Sequence, residues 1–242
     1  MYFLFSGEGE TDLGIGKHEG LCEGDDYLYG PLALFVDQIV FEKFNYHPLE
    51  SSVCIFVPKK QLKQYFDQLK PLKKFKIPRG EVKYEQGTKY FRNNARALAV
   101  IAKKIGNEKN DENVIAILFR DSDRKNSSEP EEWEKKRDSM INGFLDENFT
   151  CGVPMIPKPV SEAWILCAIY RAKNPVRNCD DLENTKHGNQ SEHALKIELE
   201  NELNEQPTRE LLNEKITNKE INVQLINLPS FNQFKVMLDC KL

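Results

Sequence analysis

Asn113–Asp123, NVIAILFRDSD, is the stretch on which the reading of this chain turns. Val114 to Phe119 run apolar without a break between polar neighbours, and Val114, Ile115 and Ile117 are β-branched. A short run of that kind reads as a strand buried on both faces of a parallel sheet. Asp121, Ser122 and Asp123 follow at its carboxyl end, the side of an open α/β sheet on which ligands bind. Two carboxylates there are unfavourable unless a cation offsets them or one takes a proton. A hard cation with oxygen ligands, most simply magnesium, is the economical partner. A solvated acidic turn would carry the same letters, so the rest of the chain has to decide.

The logic repeats at the start. Tyr2–Ser6 (YFLFS) is a short apolar run opening into Gly7-Glu8-Gly9-Glu10-Thr11-Asp12. Glycines at 7 and 9 free the backbone to project Glu8 from a strand tip, although glycine–acid clusters also make ordinary turns. Residues 13–30 are glycine-rich, acidic and without a period, and the expectation is a long loop. Its GxG lacks the remaining glycine and the lysine of a phosphate-binding loop. Beyond it the pattern predicts a helix over Leu32–Phe44, a strand over Ser52–Val57 stopped by Pro58, and a helix over Gln61–Leu69.

From Pro71 to Lys89 the chain is basic, with Lys73, Lys74 and Lys76 interleaved with Phe75, Tyr84 and Tyr90. Cations with aromatics between them suit a nucleic-acid backbone and stacked bases; a solvated lysine-rich face has the same composition. The helix predicted over Thr88–Lys104 sets Arg92 and Arg96 one turn apart. Glu129–Asn148 reads as a charged helix and Cys151–Ile156 as a short strand weakened by Pro154. In Pro157–Trp164 two prolines end the strand, and Ser161 is the expected N-cap of the next helix. Glu162 falls in that helix's first turn, where the backbone favours a carboxylate whatever its chemistry.

At 242 residues the chain is one large domain, or a domain with an appendage. A net charge of −4 supplies no global basic field, so any nucleic acid is held by a local patch, a metal or another subunit. The six cysteines (22, 54, 151, 167, 179 and 240) form no CxxC pair. Without a signal-peptide pattern, they are expected to be reduced thiols in a cytoplasmic protein. Cys179, His187 and His193 match no common zinc spacing. No apolar segment is long enough to span a membrane. Residues 174–220, rich in Asn, Glu and Lys, predict helices near Glu192–Leu203 and Thr208–Ile216, with Pro229–Leu242 packing back.

Taken together, FSGEGETD, LFRDSD and IPKPVSEAWIL resemble a Toprim domain, the metal-binding module of topoisomerases, bacterial primases and overcoming-lysogenisation-defect nucleases. The resemblance implies a mainly parallel, Toprim/Rossmann-like α/β sheet flanked by helices over residues 1–172. A small helical C-terminal appendage, 173–242, would pack on the same domain. Glu8 would be the family's glutamate, and Asp121 and Asp123 its aspartate pair. The closer resemblance is to stand-alone Toprim-like proteins of bacterial defence islands, in which Glu162 of SEAW would join the cluster. The chain departs from the pattern in its long 13–30 loop, which leaves Glu10 and Asp12 as alternatives to Glu8.

The activity so implied is a Mg2+- or Mn2+-dependent nuclease of anti-phage defence, working on DNA or RNA and paired with an ATPase subunit. Its four acids are expected to gather at one sheet edge, with Lys158, Arg120 or Arg124 beside the scissile phosphate. Substrate would lie along Lys73, Lys74, Lys76, Arg92, Arg96 and Arg124. Two other readings stay open: a non-catalytic subunit that binds the ATPase, and a DxD-dependent transferase acting on nucleotides or sugar-nucleotides.

Overall fold

The computed structural model describes residues 1–69, 82–122, 132–184 and 188–242, with backbone alone at 82–87, 184 and 188–193. Strand β1 (Tyr2–Ser6) leads into three short strands, β2 (Gly14–Gly16), β3 (Cys22–Glu23) and β4 (Tyr27–Tyr29). Helix α1 (Pro31–Phe44), β5 (Cys54–Phe56), α2 (Lys59–Gln68), α3 (Val82–Lys109) and β6 (Val114–Phe119) follow. Then come α4 (Glu132–Asp146), β7 (Gly152–Met155) and α5 (Ser161–Lys173), and finally α6 (Asp180–Asn184), α7 (Gly188–Leu203), α8 (Arg209–Thr217) and α9 (Pro229–Asp239).

The main sheet has the order β3-β5-β1-β6-β7. Strands β5, β1, β6 and β7 are parallel, and β3 adds antiparallel to the edge of β5. Every residue of β6 is buried, as an unbroken apolar run requires of a central strand covered on both faces. Phe3, Phe5, Ile115, Ile117, Val153 and Met155 join the core formed with α1, α5, α8 and α9. Leu4, Ile55, Ala116 and Leu118 point the other way, into the core with α3 and α4. This is an α/β fold in which helices cover both faces of a mainly parallel sheet. Pro154, in register with Leu118, sits in the edge strand β7, where a missing N–H is tolerated.

Helices α3 and α4 pack closely because Gly143 has no side chain; a Cβ there would lie 2.3 Å from Arg92 O. The C-terminal helices are fastened through Trp164, which is fully buried. Its ring packs 5.1 Å from Phe231 and 5.7 Å from Phe234, and its Nε1 donates to Ser230 Oγ at 2.8 Å. Ser230 in turn donates from its backbone N and Oγ to Glu183 at 2.9 and 2.6 Å.

Three sequence expectations are corrected. Residues 13–30 are not a featureless loop: β2 and β4 pair antiparallel, Ile15 opposite Leu28, and β3 extends the main sheet. Strands of two or three residues with glycine at their ends are too short to show an alternation. The six thiols are not all reduced, because Cys167 and Cys179 are joined in a disulfide with a Cα–Cα distance of 5.7 Å. The turn after α5 folds α6 back on that helix's buried face, a juxtaposition that a spacing of 12 in sequence does not reveal. The bond also takes Cys179 out of any zinc set; His187 and the His193 side chain lie outside the described residues. Finally, Ser161 is not the N-cap of α5. That position is Val160, which has no side-chain acceptor, so the helix is capped from elsewhere. Among the described residues no helix is long and apolar enough to cross a membrane.

Candidate functional site

Because β1 and β6 are parallel neighbours, the segments leaving them emerge at one edge of the sheet. Ser6 Oγ donates to Val57 O at 2.9 Å, tying the tips of β1 and β5. The chain then turns through Gly7-Glu8-Gly9-Glu10. Gly9 has φ +81°, and a Cβ there would meet Asp12 Oδ2 at 2.1 Å. Only glycine lets the turn reverse while Asp12 folds back beneath it. At the tip of β6, Ser122 donates from its backbone N and Oγ to Pro159 O at 3.2 and 3.0 Å. Lys136 Nζ donates to Ser122 O. These bonds fix the segment that enters α5 against the end of β6.

The missing cap of α5 is supplied across the sheet. Asp121 Oδ1 accepts from Ser161 N at 3.2 Å. Ser161 Oγ donates to Asp12 Oδ1 and lies 3.5 Å from Glu162 Oε2. One serine thus gathers acids from the β1 turn, the β6 tip and α5 itself. Lys196 of α7 brings its Nζ to 3.8 Å from Glu162 Oε1. Burial pushes the Asp12 carboxyl above the usual carboxylate range, against the lowering effects of the Ser161 hydroxyl and Lys196. Burial does the same to Glu162, and the Asp12 charge adds to it.

Glu8 stands at the same edge, one-third exposed, with Oε2 at 4.0 Å from Arg120 Nε. The expected acids therefore divide. Glu8, Asp121 and Glu162 share one edge, and Asp12 is the acid that reaches the start of α5, while Glu10 is exposed. Asp123 and Arg124 lie outside the described residues, as do Lys73, Lys74 and Lys76. Lys158 is half-buried, and its charge acts on Glu183. Arg92 and Arg96 do not stand open as a cationic stripe. Arg92 donates from Nε and Nη2 to Asp146 at 2.7 and 2.9 Å. Arg96 is buried and donates from Nε to Glu147 at 2.7 Å. Close packing of α4 on α3 supplies both acids. Lys196 was not singled out from sequence; it lies in the segment that reads as an appendage, and no spacing ties it to Glu162.

Among the described residues no group of three or more His, Cys, Asp or Glu converges tightly enough to hold a metal ion. The donor chemistry nonetheless fits magnesium, which is bound through one or two carboxylates plus substrate phosphates and keeps several waters. The acids at this edge offer only oxygen, and the crowding of Asp12 and Glu162 is what a dication relieves. Set against models of protein families, curated proteins and solved structures, the chain matches none of them.

A pH test follows from the two raised carboxyls. The folded state holds their protons more tightly than the unfolded chain does, so ionising them opposes folding. Their destabilising effect is absent below the ordinary carboxylate range and grows as pH rises through the raised values. Asp12→Asn keeps an acceptor for Ser161 and removes one charge. In EDTA it is expected to melt higher than the parent at pH 7, with the difference shrinking toward pH 4. Parallel melting curves for the two proteins across that range would show that Asp12 carries no such strain.

Proposed function

We propose that the chain is a magnesium-dependent phosphodiesterase that cuts nucleic acid. The observation that supports this reading is the gathering of Asp12, Asp121 and Glu162 around Ser161, with Glu8 leaving β1 at the same carboxyl edge of a parallel sheet. Glu8, Asp121 and Glu162 would hold the metal, with Asp12 beside them and Asp123 completing the aspartate pair. Bound there, magnesium supplies Lewis-acid stabilisation of the oxygens that attack and leave the phosphorus.

The chain's own residues supply the rest. Ser161 orients Asp12 and Asp121 through its Oγ and backbone N. Lys196 offsets the Glu162 charge. Lys158, Arg120 or Arg124 would supply the cation beside the scissile phosphate. The resemblance of the three motifs to Toprim domains supports the same chemistry, and with it a role in anti-phage defence beside an ATPase in the cytoplasm. The Cys167–Cys179 bond is of a kind rare in that reducing compartment, and both of its residues are buried.

One observation favours a second reading. The bond from Ser161 N to Asp121 is also what a purely structural cap makes, as in a non-catalytic subunit that binds an ATPase. Incubating the protein with supercoiled plasmid and with structured RNA, in Mg2+, Mn2+ or EDTA, separates the two. Each reaction is run alone and with a candidate partner ATPase. Strand breaks that need metal are expected. No metal-dependent cleavage of either substrate in either setting leaves the binding subunit.

A further inference from the structure

We propose that the Nε/Nη2 edge of Arg120 is an oxyanion clamp that takes two oxygens of a phosphate group, and that Glu8 is the carboxylate competing for it. That the phosphate belongs to the substrate rests on the phosphodiesterase reading; the clamp itself does not.

Arg120 is fully buried at the tip of β6, one residue before Asp121. Its Nη1 donates to Phe119 O at 2.6 Å. Among the described residues Nε and Nη2 have no hydrogen-bond partner. Glu8 Oε2, at 4.0 Å from Nε, forms an ion pair but is beyond hydrogen-bond reach. The Tyr90 ring lies 5.5 Å from the guanidinium carbon and is 46% exposed, so an aromatic face backs the cation. A guanidinium removed from water with two donors unsatisfied is strongly unfavourable, and such an orphan points to an unmade contact with function.

The protein itself displays what this edge does when engaged. Arg92 uses the same two atoms, Nε and Nη2, to grip both oxygens of Asp146 at 2.7 and 2.9 Å. The fork spans a carboxylate or two phosphate oxygens equally well. Two occupants therefore compete for Arg120. With Glu8 drawn onto the fork, the carboxylate is withheld from the acid cluster. With a phosphate on the fork, Glu8 is released toward that cluster. One buried arginine would thereby couple arrival of the phosphate to delivery of Glu8.

The test uses the full chain in EDTA at constant ionic strength, with inorganic phosphate as the probe, read by calorimetric titration and by thermal shift. Wild type should bind phosphate. Arg120→Gln should weaken binding by about tenfold to a hundredfold, the range of a lost charge-assisted contact. Arg120→Lys keeps the charge without the fork and should recover only part of the affinity. Glu8→Gln removes the competitor's charge and should bind more tightly than wild type.

Binding by neither wild type nor Glu8→Gln overturns the clamp. So does undiminished binding by Arg120→Gln, or by Arg120→Lys if the glutamine variant does not fold. The two proposals fail separately. A protein that binds phosphate through Arg120 but never cuts plasmid or RNA keeps the clamp and loses the phosphodiesterase. One that cuts, with phosphate binding indifferent to Arg120, does the reverse.

Discussion

Asp121→Asn is expected to abolish most metal-dependent cleavage while leaving the fold intact. Even outer-shell partners of a metal are worth about 10–100-fold, so loss of a direct carboxylate ligand should reduce cleavage at least about a hundredfold. Stability responds differently because of what Asp121 touches. Its Oδ1 accepts from Ser161 N, and asparagine is as good an N-cap acceptor as aspartate. The substitution gives up a favourable charge at the helix start, about 0.3–1 kcal/mol, and relieves repulsion from Asp12 and Glu162. The two effects oppose, so the metal-free variant should melt close to the parent, whereas Asp121→Ala should lose about 1 kcal/mol with the cap. Added magnesium should raise the melting temperature of the parent more than that of Asp121→Asn. Cleavage by Asp121→Asn at the parental rate, with normal magnesium stabilisation, would sink the nuclease assignment.

Trp164→Ala should be the most damaging single change to stability. The side chain has no exposed surface, and removing such a ring typically costs about 3–5 kcal/mol. The lost contacts are specific: the Phe231 and Phe234 rings and the Ser230 hydroxyl, which together hold α9 on α5. Trp164→Phe keeps a ring and loses the bond to Ser230, for about 1 kcal/mol. Urea unfolding followed by fluorescence and by circular dichroism distinguishes them. A loss below about 1 kcal/mol for Trp164→Ala would mean that α9 is held by other contacts.

How much of this could be read from sequence depends on how each feature leaves a trace. A strand covered on both faces leaves an aperiodic apolar run, so Tyr2–Ser6 and Val114–Phe119 were legible, and with them the sheet. The β2–β4 hairpin was not, because Gly14, Gly16 and their neighbours give too few residues to alternate. The acid edge was legible in outline, since Glu8, Asp121 and Glu162 each follow a readable strand. Which acid meets Ser161 was not, because it depends on the backbone at Gly9 folding Asp12 inward. Arg92 and Arg96 looked like an open pair since nothing local says that Gly143 admits α4, carrying Asp146 and Glu147 to them. Lys196 and the Cys167–Cys179 bond depend on how the chain folds back after α5, and such returns leave no spacing to read.

The bond from Ser161 to Asp12 spans 149 residues, which has a consequence for synthesis. At about 5–20 residues per second, the ribosome needs roughly 7–30 s to pass from one to the other. For most of that interval β1, destined for the middle of the sheet, has no β6 beside it, and its Phe3, Leu4 and Phe5 are unprotected. The nascent chain should therefore engage holdase chaperones through Tyr2–Ser6 as that stretch emerges, and release them only once α5 has left the exit tunnel.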